Sequence, residues 1–152
     1  MTAEGRLQEL GLVLPAAPAP AAAYAPSVRS GNLLFTAGQV ASREGTLLAT
    51  GRLGAEVDLD TGRVCARQCA LNVLAQIKAA LGDLERVNQV VKLTVFVAST
   101  PEFVKQHLVA DGASELFAEV FGDPGRAARS AVGAAALPTG TPVEVEAVVE
   151  VG

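Results

Sequence analysis

From Thr61 the apolar positions recur every four residues. Cys65, Cys69, Val73, Ile77 and Leu81 fall in one row, with Ala66, Ala70, Leu74 and Leu84 beside it. That spacing winds an apolar stripe along one side of an α-helix. Asp60 or Thr61 suits its N-cap, and Gly82 suits its end. A second helix is expected with Thr100 as cap, Pro101 at its first position and Glu102 in its first turn. Phe103, Leu116, Phe117, Val120 and Phe121 give it an apolar side. Gly112 is expected to break or bend this helix, and GDPGRA to end it.

Elsewhere the period is two. NQVVKLTVFVAST alternates Val91, Leu93, Val95 and Val97 against Lys92 and Thr94, which predicts a strand. VRSGNLLFTAGQVA reads as a hairpin turning at Ser30, Gly31 and Asn32. Its run Leu33-Leu34-Phe35 is that of a strand buried on both faces, and Gly38 marks a close backbone approach. ARSAVGAAA and PVEVEAVVEV are read as two antiparallel final strands joined by LPTGTP. In the last, Val143, Val145, Ala147, Val149 and Val151 share one face and Glu144, Glu146 and Glu150 the other.

The remaining stretches are less regular. REGTLLATGRLGAEVDLDTG is turn-rich and is expected to be a surface excursion. Thr2 caps a short helix through Leu10, with Leu7 and Leu10 inward, and PAAPAPAAAYAP follows as an extended connector. The order is helix–β–β–α–β–α–β–β, an α+β pattern with residues 24–152 as one domain and 1–23 as an N-terminal helix and connector. Helices gathered on one side of a mixed sheet leave its other face needing cover.

Composition narrows the possible chemistry. The chain has 152 residues, half of them hydrophobic and 18% charged, enough for one ordered core but sparse in charge for a surface fully in water. A second subunit is the expected cover. Net charge is −4, with no basic cluster, so the cationic footprint of a nucleic-acid binder is missing and no such partner is expected. The start lacks the continuous apolar stretch of a signal peptide, and no run is long enough to span a bilayer. Cys65 and Cys69 lie on the apolar helix stripe and read as inert core thiols, as expected of a reduced cytoplasmic protein. His107 is the single histidine and falls on a polar stretch, so no zinc shell can be assembled. Without GxxxxGK there is no phosphate loop, and no cofactor is expected.

Arg129 and Glu144 stand out, each among residues suited to a core. A buried guanidinium keeps its charge and needs an anion beside it. If the final strands are neighbours, Arg129 and Glu144 share a face. They are then either a structural ion pair at a sheet edge or subunit seam, or the poles of a binding site for an anionic substrate.

TAGQV after a GN turn, KLTVFV, and AARSAVGAAALP leading into VEVEAVVEV together resemble the RidA/YjgF family of reactive-intermediate deaminases, over about Tyr24–Val151. The resemblance implies a chorismate-mutase-like fold, with a mixed β-sheet and two helices on one face, assembled as a homotrimer with sites between subunits. It implies hydrolysis of small 2-imino or enamine acids to 2-oxo acids and ammonia. The carboxylate-binding arginine of the family falls on Arg129 and the water-positioning glutamate on Glu144. Tyr24 matches the family's N-terminal aromatic and Gly38 its SGQ glycine. Three positions depart from the family pattern. Ala37 stands where Ser is frequent, Ala131 where Cys is frequent, and Asp111 where Asn is frequent. Ala37 and Asp111 favour a non-catalytic carboxylate-binding trimer as the alternative. Endoribonuclease activity, a label some members carry, fits the acidic chain least.

Overall fold

Thr2 accepts a hydrogen bond from the Gly5 amide and starts α1 (Ala3–Glu9) in the computed structural model, which describes Met1–Gly152. Ala3 and Leu7 turn inward, whereas Leu10 lies beyond the last turn and stays exposed, against expectation. The connector then leads to the hairpin β1 (Ser27–Ser30) and β2 (Leu33–Thr36), whose turn places Gly31 at φ 60°. Two short strands follow, β3 (Gln39–Val40) and β4 (Ser42–Arg43), the latter paired with β5 (Thr46–Leu47). The rest of this excursion is not merely surface. Leu53 is fully buried and Val57 nearly so, because Leu53 exchanges backbone bonds with Ala98 and Thr100.

The four-residue apolar period forms α2 (Leu59–Leu81). Its cap is Asp58, earlier than expected, accepting from the Thr61 amide at 2.8 Å; Gly82 ends it at φ 83°. The alternating stretch forms β6 (Val87–Ala98). The second helix, α3 (Gln106–Phe121), starts later than the Thr100-Pro101-Glu102 signal predicts. Leu53 holds the Thr100 amide and the Thr100 carbonyl accepts from Phe103, so this segment is committed to a turn before any helix begins. The helix also runs straight through Gly112. A Cβ there would meet the Arg63 carbonyl oxygen at 2.2 Å, so the glycine serves the approach of α2 to α3.

The last strands are β7 (Ala128–Ala134) and β8 (Val143–Val151). They are not neighbours. The sheet order is β1-β2-β8-β6-β7, with β3 continuing along β8 beyond β2. β6 and β7 are parallel across the α3 crossover, and the other pairs are antiparallel. The α+β class and the mixed sheet with α2 and α3 on one face stand as expected. The inward side chains of β6 and β8, from Val90 to Val97 and Val143 to Val151, meet the stripe of α2 in one core. The opposite face is open within the chain. Val28, Phe35 and Val132 are 57%, 42% and 44% exposed there, so β2 is covered on one face only. No helix is long and apolar enough to cross a membrane.

Candidate functional site

Alternation along β8 decides where Glu144 points. Its neighbours Val143 and Val145 fill the core, so Glu144 stands on the open face, opposite Val40 of β3 and Phe96 of β6. Burial lifts its carboxyl pKa above the ordinary 4.5, and the charge of Glu146 on the same face adds to the lift. Gly38 confines the carboxylate. A Cβ on Gly38 would sit 2.0 Å from Oε2, so this is the close approach that the glycine signalled.

Behind Gly38 lies a chain of buried amides. Gln39 Nε2 donates to the Ala37 and Gly38 carbonyls, both at 3.3 Å. Gln39 Oε1 accepts from Gln76 Nε2 at 3.3 Å, and the same Gln76 nitrogen donates to the Pro18 carbonyl at 2.7 Å. One turn back on α2, Asn72 donates to the Val40 and Ser42 carbonyls at 3.0 and 2.9 Å. Gln68 then joins Asn72 to Arg43, each contact 3.3 Å. Sequence reasoning missed these amides. Their signal was present: Gln68, Asn72 and Gln76 recur every four residues beside the apolar stripe, which marks a polar row under cover. The row, the connector and Glu144 line one cavity of about 1480 Å³. Tyr24 borders it, half exposed, its hydroxyl accepting from the Ala21 amide at 3.4 Å.

Arg129 is elsewhere. On β7 it sits opposite Leu93, itself opposite Ala147, an inward position. Glu144 is three residues from Ala147 and therefore outward. The shared face expected for Arg129 and Glu144 is thus ruled out by parity, and β6 separates their strands. The anion that meets Arg129 is Asp111 of α3, at 2.8 Å from Nη1. Nη1 also donates to Ser114 Oγ at 3.0 Å, and Nη2 to the His107 carbonyl at 3.2 Å. Nε–H and one Nη2 hydrogen remain, the edge of the fork that grips a carboxylate. Ala131 lies two residues along the same inward row of β7, packed on the core opposite Val95. The expected site residues therefore form two groups: Glu144, Gly38 and Tyr24 at β3 and β8, and Arg129, Asp111 and Ala131 at the β7 edge.

Other candidate chemistry is quiet. Cys65 and Cys69 are fully buried, and burial pushes both thiols up, so neither presents a thiolate. No three His, Cys, Asp or Glu side chains converge as a metal shell requires.

Comparison with known proteins places this architecture. The endoribonuclease L-PSP family matches residues 14–151. The chain belongs to that family, the RidA/YjgF family. Protein TCP17 of Trypanosoma cruzi is 52% identical over 145 residues, 95% of this chain and 91% of its own. The crystal structure of Atu1372 from Agrobacterium tumefaciens, a protein of unknown function, superposes with TM-score 0.93 at 52% identity. It covers 99% of this chain, and 92% of its own length is matched. RidA from the Antarctic bacterium Psychrobacter superposes with TM-score 0.64 at 28% identity, over 90% of this chain and 94% of its own. RidA/YjgF structures thus share the mixed sheet and its helical layer, the fold expected from the sequence.

Proposed function

We propose that this RidA/YjgF protein hydrolyses small 2-imino and enamine acids to 2-oxo acids and ammonia, at sites between the subunits of a homotrimer. The observation that carries the reading is Glu144, a half-buried carboxyl of raised pKa, pinned against Gly38 at one end of a large cavity. Such a group takes a proton more readily than a solvated glutamate. In the proposed reaction a water oxygen bonds to the C=N carbon while Glu144 takes the water's proton and the imine nitrogen gains one from solvent. The same carboxyl then protonates the nitrogen of the resulting carbinolamine, its C–N bond breaks, and ammonia leaves as the hydroxyl proton passes to solvent and the C=O forms. An enamine reaches the imine by gaining a proton at its β-carbon and losing one from its nitrogen.

Arg129 supplies the substrate grip in this reading, from a neighbouring subunit. Within one chain it lies on the other face of the sheet, so a single chain does not complete the site. Asp111 and Ser114 hold the guanidinium by Nη1 and leave its Nε edge for a carboxylate. The exposed apolar side chains of the open sheet face support association. Two free, buried thiols suit a reduced cytoplasmic setting.

One observation favours a second reading, a non-catalytic trimer that binds carboxylate metabolites. Asp111 already neutralises Arg129 at 2.8 Å, which weakens the pull on a substrate carboxylate. RNA cleavage has the least support, since Glu144, Glu146 and Glu150 line the outward row of β8 and the chain carries net charge −4. The test adds the protein to a threonine or serine dehydratase reaction and times 2-oxo acid release. Acceleration beyond the dehydratase alone is expected. A melting shift with 2-oxo acids but no acceleration selects the binding reading, and cleavage of RNA without either overturns both.

A further inference from the structure

We infer that the cavity ending at Glu144 is a compartment for a long, uncharged substrate side chain, and that the N-terminal connector builds one of its walls. The inference rests on Glu144 as the hydrolytic base and concerns the far end of the substrate. Volume is its first ground. The cavity measures about 1480 Å³, above the roughly 300–1,000 Å³ of ordinary small-molecule sites. A pyruvate-sized acid needs only the space beside Glu144 and Gly38.

The walls are its second ground. Leu12, Leu14 and Pro18 of the connector line the cavity together with Leu47 and Leu71. The amides of Gln39, Gln68, Asn72 and Gln76 also reach it, but they are engaged with one another, with Arg43 or with backbone carbonyls. No buried side-chain polar atom lacks a partner. A charged side chain passing inside the rim would lose water and meet amides that are already engaged, whereas an apolar one gains by burial. The charges at the rim, Arg43 and Glu44, are exposed, of opposite sign, and adjacent in sequence.

The connector is fixed, which makes it a wall. Its first turn is anchored by Leu12 N donating to Leu7 O at 2.9 Å, and its middle by Gln76 on the Pro18 carbonyl. The helix before it is held by buried Ala3 and Leu7, by Arg6 on the Val120 carbonyl, and by the Glu4–Lys78 ion pair at 2.8 Å. Pro15, Pro18 and Pro20 have no N–H to offer a ligand, and the short alanines between them leave the space unfilled. Gln76 bonds both the connector and Gln39, which holds the Gly38 ledge. The side-chain compartment and the reacting corner are therefore parts of one hydrogen-bonded frame.

Calorimetric titration with 2-oxo acids of graded side chain tests this, from pyruvate through 2-oxobutanoate and 4-methyl-2-oxopentanoate to phenylpyruvate, with 2-oxoglutarate as the charged control. Affinity should rise about fourfold per added methylene, and 2-oxoglutarate should bind no better than pyruvate. Ala16→Phe in the connector and Leu47→Trp on β5 should each weaken 4-methyl-2-oxopentanoate about tenfold more than pyruvate, by filling space equal to a few methylenes. Flat or falling affinity along the series, no binding at all, or an equal loss for both acids in both folded variants overturns the compartment. In parallel, the matching imino acids are generated by an L-amino-acid oxidase and their hydrolysis timed. If the long acids bind but their imines are not accelerated, the compartment stands and the deaminase reading falls. If only the smallest imine is accelerated and the long acids fail to bind, the reverse holds.

Discussion

Two carboxyl groups of this chain answer to pH in opposite senses. Asp58 accepts from the Thr61 amide and hydroxyl, which lowers its pKa. Its stabilising contribution is present above the unfolded pKa and is lost as pH falls through the lowered folded one. Glu144 has a folded pKa raised by burial and by Glu146. Its contribution is full below the unfolded pKa and is lost as pH rises through the raised one. Glu144→Gln should therefore melt higher than wild type near neutrality, with the gap closing as pH falls to about 4. A constant gap across that range would show that burial does not penalise the carboxylate. Hydrolysis should decline in acid with an apparent pKa above the ordinary glutamate value, since the base must be ionised. The same variant should keep 2-oxo acid binding while losing most acceleration, because an amide cannot take the proton. Arg129→Lys separates the other role. It should cost about 1.5–3 kcal/mol of ligand affinity, as for a charged hydrogen bond, and leave the chain folded. A lowered melting temperature with binding intact would make the Asp111 pair purely structural.

At the scale of elements, the contact between α2 and α3 depends on one missing side chain. Gly112→Ala ought to gain roughly 1 kcal/mol from helix propensity alone. The added Cβ would meet the Arg63 carbonyl oxygen at 2.2 Å, a backbone atom that cannot rotate away. Overpacking of this kind costs about 1–3 kcal/mol, so the net effect should be a loss, read as a lower denaturant midpoint. A midpoint at or above wild type would show that the helices separate without penalty. The ion pairs beside this contact, Arg63–Glu115 and Arg67–Glu119, are solvent-exposed and should add little.

For the whole molecule, the decisive quantity is the uncovered sheet face. Val28, Phe35 and Val132 form an apolar outer surface that a lone chain leaves in water. Sedimentation equilibrium should give a homotrimer at micromolar concentration, and Phe35→Glu should shift it to smaller species with unchanged circular dichroism. A wild-type monomer across that range would remove any site made from Glu144 of one subunit and Arg129 of another. Hydrolysis should then follow the trimer fraction, since neither group completes the site within its own chain.

Local periodicity was sufficient for what depends on neighbours along the chain. The four-residue stripe gave α2, the alternation gave β6 and β8, and the left-handed Gly82 and the tight Gly38 followed from glycine's missing side chain. The outward placement of Glu144 came from parity alone. Strand order did not, because pairing joins residues far apart in sequence. β6 inserts between β7 and β8, and that insertion put Arg129 on the opposite face from Glu144 and gave it Asp111 as partner. The late start of α3 was decided by Leu53, whose backbone pairing claims Thr100 before a helix can use it. The cavity wall came from the connector's docking on Gln76, a contact that composition does not encode. Each of these rests on a long-range hydrogen bond or a packing contact, and only the folded chain brings such partners together.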